Sequence, residues 1–171
     1  MEQEQITILT HESIQRKLLR MAWEIYEELH EAEEICFVGI EGTGESIAKQ
    51  VRQNFLNISD IPSSYYLIQM DKSQAQNATL DADLKRLENA HIVLVDDVLN
   101  SGKTMFYALS CLKNPSIQSI TTVVLANRDH KKFPVEANIV GISLATTRIE
   151  TIYFVEENGK IYAGHHYLID M

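Results

Sequence analysis

The chain has 171 residues, the length of one ordinary domain and enough to bury a core without disulfide or metal staples. Hydrophobic residues at 45% and charged residues at 23% are globular values, and no apolar stretch approaches the roughly 20 residues of a spanning helix, which excludes disordered and membrane-spanning helical classes. Fifteen Lys and Arg against 24 Asp and Glu give a formal net charge of −9, which opposes the counterion release behind general nucleic-acid affinity, so RNA is not expected as a partner.

The opening MEQEQITILT has neither a basic nor an apolar leader region, which makes a cytoplasmic location the expectation. From Thr10, a residue suited to capping, Ile14, Leu18, Met21, Ile25 and Leu29 recur at helical spacing, with Ala22 and Trp23 widening the stripe. The acidic run Glu24 to Glu34 at the end of that helix reads as a solvated face. Next come a short buried strand, Ile35–Ile40, a glycine-bearing turn, EGTG, and a helix from about Glu45 to Phe55. A strand at Tyr65–Met70 leads into the polar stretch Asp71 to Arg86, whose first half reads as a loop able to move near a site and whose second half suits a helix. A strand at His91–Asp97, a helix at Lys103–Lys113 and a strand at Ser119–Ala126 follow.

Near-continuous aliphatic strands alternating with helices predict an open, mainly parallel α/β sheet covered on both faces. After Arg128 the pieces shorten to VEANIVGISL, TIYFVEENG and KIYAGHHYLID, with a hairpin turn expected at Asn158-Gly159. They predict a small C-terminal β or mixed subregion appended to a single domain, 1–171. Cys36 and Cys111 sit at core-like positions, and the adjacent His165 and His166 lack partners at metal-ligand spacing, so no direct protein metal site is predicted.

Two strand ends carry unusual residues, GIEGTGES (Gly39–Ser46) and VDDVLNSGKT (Val95–Thr104). The Gly-Lys-Thr at 102–104 suggests a triphosphate-binding loop, but the glycine required five residues earlier is Asp97. Gly39 and Gly44 have the right separation, yet Glu45 stands at the lysine position, where a carboxylate repels phosphate. A dinucleotide fingerprint fails as well, because Ile47 stands where the third glycine belongs. A sugar phosphate satisfies both halves of the second motif. Asn100 to Thr104 offer amides and hydroxyls at a helix N-terminus to a phosphate, while Asp96 and Asp97 suit a sugar diol and positive charge developing on its ring.

VLVDDVLNSGKT resembles the phosphoribosyl pyrophosphate (PRPP) signature of type I phosphoribosyltransferases. ILTHESIQRKLLRMAWEIYEEL, FVGIEGTGESIAKQV and VVLANRDHKKFPVEANIVGISLATTRIE, in that order, are similar to the bifunctional pyrimidine-operon attenuator and uracil phosphoribosyltransferase family. The resemblance implies that Asp96 and Asp97 hold the ribose, that Asn100, Ser101, Gly102, Lys103 and Thr104 wrap its 5′-phosphate, and that Glu41, Gly42, Thr43 and Gly44 form a pyrophosphate loop. It also places Asn127 and Arg128, with Phe133 and Pro134 beyond, on the base side, and Lys72 on a covering loop. A magnesium ion, Mg2+, travels on PRPP, and a homodimer or larger homo-oligomer is expected. The chain departs from that pattern at Thr43, where relatives carry a basic residue, and at Asn127, where they carry an acid. Arg128 and Arg148 are the candidate compensating cations. The implied reaction is transfer of phosphoribose to uracil or a related base; the alternative is a non-catalytic PRPP- or nucleotide-binding regulator, with RNA attenuation as a third reading.

Overall fold

A computed structural model describes residues 6–71, 76–113, 116–145, 150–157 and 160–167. The chain runs β1 (Ile6–Leu9), α1 (His11–Leu29), β2 (Ile35–Ile40), α2 (Thr43–Ile58), β3 (Ser63–Asp71) and β4 (Gln76–Leu80). A 3₁₀ turn (Leu84–Leu87) then precedes β5 (His91–Leu99), α3 (Lys103–Cys111), β6 (Ser119–Arg128), β7 (Ile139–Leu144), β8 (Glu150–Glu157) and β9 (Lys160–Tyr167).

Six strands form one sheet in the order β4-β3-β2-β5-β6-β7, parallel throughout except for β4. Alternate residues of the central strands feed two cores. Phe37, Val93, Val95, Val123 and Leu125 pack with the buried faces of α1 and α2. Cys36, Val38, Ile92, Leu94 and Val124 pack with Met105 and Ala108 of α3 and with Leu87. Both faces are apolar, which is why these strands read as continuous aliphatic runs. Each large side chain removed from water contributes about 1.5–3 kcal/mol.

Helix α1 begins as the spacing predicts, with the Thr10 hydroxyl accepting a 3.3 Å hydrogen bond from the Ser13 amide and Ile14, Leu18, Met21, Ala22, Ile25 and Leu29 buried. Trp23 lies outside the buried stripe and is 46% exposed. The helix stops at Leu29, inside the acidic run. That run is not uniformly a solvated face, because Glu28 accepts a 3.2 Å hydrogen bond from the Thr121 hydroxyl on β6.

Two further expectations are corrected. The stretch after Asp71 supplies strand β4, antiparallel to β3, and only a four-residue 3₁₀ turn in place of a helix. The segment VEANIVGISL does not belong to an appended subregion, since Ile139–Leu144 is the edge strand of the main sheet, parallel to β6. The appended piece is a separate antiparallel sheet, β1-β9-β8, that also recruits the N-terminal strand. The expected turn at Asn158-Gly159 lies outside the described residues, although β8 and β9 pair antiparallel on either side of it. Among the described residues no helix is long and apolar enough to cross a membrane.

Candidate functional site

Strands β2 and β5 are hydrogen-bonded neighbours, yet the chain leaves β2 for β3 on one side and leaves β5 for β6 and β7 on the other. Their carboxyl ends therefore flank a topological switch point, the crevice where open α/β sheets hold ligands. The pairings Gly39↔Val95, Leu99↔Asn127 and Asn127↔Ser143 bring the ends of β2, β5, β6 and β7 to one sheet edge. That edge gathers residues 41–44, 96–104 and 127–128.

The acid pair is asymmetric. Asp96 is 2% exposed, and its Oδ1 accepts from the Asp97 amide at 2.9 Å. Asp97 is half-buried, and its Oδ1 accepts from the Val98 amide at 2.8 Å. A Cβ placed on Gly44 would lie 2.7 Å from Asp96 Oδ1 and 3.2 Å from its Cα, so only glycine lets the first turn of α2 rest on the end of β5. The loop before α2 is stitched to β3: the Glu41 amide donates to the Ile68 carbonyl at 3.0 Å, and Glu41 Oε2 accepts from the Met70 amide at 3.3 Å. Glu45, in that same first turn, pairs with Lys49 at 2.6 Å. Beneath them the Tyr65 hydroxyl is buried beside Gly39 with no hydrogen-bond partner among the described residues, and burial, assisted by Glu45, pushes its pKa up.

Beyond Asp97, residues Val98 to Met105 line a concavity of about 130 Å³, smaller than the pockets that take drug-sized molecules and suited to a compact anion. Gly102 takes φ +83°, a left-handed conformation costly for other residues, and α3 begins at the next residue. The Ser101 hydroxyl accepts from the Lys103 amide at 3.3 Å, and the Ser101 carbonyl accepts from the amides of Lys132 and Phe133 at 2.8 and 3.0 Å. The connection from β6 to β7 thus braces this loop from behind. Phe133 belongs to that brace, its ring 5.3 Å from Phe106 and 6.4 Å from Tyr107.

At the far end, Asn127 and Asp129 with Ser143, Leu144 and Ala145 line an open cavity of about 420 Å³. Arg128 is 4% exposed. Lys131, which no sequence motif singled out, donates to Asn127 Oδ1 and to the Arg128 carbonyl, each at 2.6 Å. Ser143 was equally unannounced, because its place depends on β7 joining the main sheet. Lys72 and Arg148 lie outside the described residues. Among the described residues no group of three or more His, Cys, Asp or Glu is placed to hold a metal ion.

The model of the phosphoribosyl transferase domain family matches residues 4–158, and the chain belongs to that family, with the type I fold. Within it the similarity runs to proteins named bifunctional protein PyrR. The one from Fusobacterium nucleatum is 28% identical over 94% of this chain and 97% of its own, and the one from Caldicellulosiruptor bescii 32% identical over 85% of each. Among solved structures, the hypoxanthine phosphoribosyltransferase of Trypanosoma cruzi superposes with a TM-score of 0.74 at 14% identity, covering 92% of this chain and 94% of that one, a likeness of fold.

Proposed function

We propose that the chain transfers the phosphoribosyl group of PRPP to uracil or a related nucleobase and releases pyrophosphate. The observation that carries this reading is the meeting, at the switch point, of an acid pair with a braced loop at the start of α3. Residues 100–104 hold the 5′-phosphate through amides and hydroxyls, with the helix N-terminus adding positive potential. The carboxylates of Asp96 and Asp97 hold the ribose hydroxyls and stabilise positive charge on the ring as the bond from C1 to pyrophosphate breaks. A ring nitrogen of the base forms the new bond to C1 and loses its proton, while pyrophosphate departs with the bonding pair. Magnesium enters with PRPP as part of the substrate and neutralises the leaving group.

A second reading, a regulator that binds PRPP or a nucleotide without turnover, draws on a specific feature of the pyrophosphate loop. Residues 41–46 carry no cation, and the nearby Lys49 ammonium is engaged by Glu45. Pyrophosphate release measured with PRPP, Mg2+ and a panel of nucleobases separates the two. Base-dependent release above background is expected; background release with every base, alongside calorimetric binding of PRPP, supports the regulator.

A further inference from the structure

The base-side cavity contains a hydrogen-bonding group whose polarity is set by its neighbour. A lysine ammonium can only donate, so the Asn127 atom 2.6 Å from Lys131 Nζ has to be the carbonyl oxygen of the side-chain amide. The Arg128 carbonyl, also 2.6 Å from Nζ, holds the ammonium from a second direction and fixes the orientation. What Asn127 retains for a ligand is its amide nitrogen with two N–H donors, and no acceptor among the described residues meets that nitrogen. Ser143 faces Asn127 across the parallel β6–β7 ladder and supplies a hydroxyl that either donates or accepts, while Leu144 and Ala145 add apolar wall.

We infer that Asn127 is a specificity-determining residue and Lys131 its positioning residue, together selecting a base that turns a lone pair, on a carbonyl oxygen or an unprotonated ring nitrogen, toward the end of β6. An aspartate at position 127 would present an acceptor and a negative charge to the same edge and reject such a base. The inference rests on the proposed function, because it treats the 420 Å³ cavity as the base subsite.

Calorimetric titration of the full chain with ribose 5-phosphate and with uridine 5′-monophosphate tests both levels, since the two probes share the phosphate and differ by a base rich in carbonyl lone pairs. In N127D the affinity for the nucleotide is expected to fall about tenfold or more, and in N127A about threefold, while ribose 5-phosphate affinity stays within about twofold in both. In K131M the amide is free to turn, and the nucleotide's advantage over ribose 5-phosphate shrinks. Loss of nucleotide affinity no greater than loss of ribose 5-phosphate affinity in N127D and N127A would overturn the assignment of Asn127. Failure of the unmutated chain to bind ribose 5-phosphate would instead overturn the phosphate-loop reading, and this inference with it.

Discussion

Gly44 is the residue at which packing and chemistry meet, because a methyl group there would press on Asp96 Oδ1 at 2.7 Å and on its Cα at 3.2 Å. Overpacking of this kind costs about 1–3 kcal/mol, and here the strain falls on a proposed site acid. Gly44→Ala is expected to lower the affinity for ribose 5-phosphate at least several-fold while the chain still unfolds cooperatively in urea; unchanged affinity would separate Asp96 from the sugar site. Cys36 gives a pH prediction. Burial raises its thiol pKa from 9.0 to about 11. The unfolded chain ionises first, so the contribution is fully present below pH 9 and is lost as pH rises from 9 to 11, by on the order of 2–3 kcal/mol. Urea titrations at pH 8 and pH 11 are expected to show a smaller stability loss for Cys36→Val than for the unmutated chain.

At the scale of elements, α1 does more than cover the sheet. The Arg20 guanidinium donates to the carbonyls of Val140 and Gly141 at 2.8 and 2.9 Å, occupying acceptors on the edge strand β7, and it also pairs with Glu24. Arg20→Met keeps much of the aliphatic stem and removes those bonds; a loss of about 1 kcal/mol in unfolding free energy is expected, measured by urea denaturation. Helix α1 was legible because its apolar spacing and its cap are local signals. Strand β7 was misplaced for a physical reason: the path from β6 to β7 contains no helix, so Ile139–Leu144 lacks the βαβ rhythm that announces a parallel partner. Strand β4 hid in QNATL, which has little apolar content and is defined by its ladder with β3. The acid pair at 96–97 and the proposed phosphate loop at 100–104 stand out in the sequence because their residue types lie close together along the chain. Lys131 and Ser143 do not, since one acts through a tertiary hydrogen bond and the other through a strand register.

The whole molecule places its unusual residues where topology makes room for a ligand. Under the proposed function, a chain of net charge −9 gains nothing from its overall field toward an anionic sugar phosphate, so recognition would come from oriented amides, the α3 N-terminus and nearby cations such as Lys103. The half-buried Asp97 is proposed to hold the ribose and to stabilise the charge that develops on its ring. The direct test is the steady-state rate of pyrophosphate release from PRPP and the best base in the panel, compared between the unmutated chain and Asp97→Asn. A fall of about a hundredfold or more, with an unchanged urea unfolding midpoint, is the expected result. Equal rates in the two proteins would contradict it.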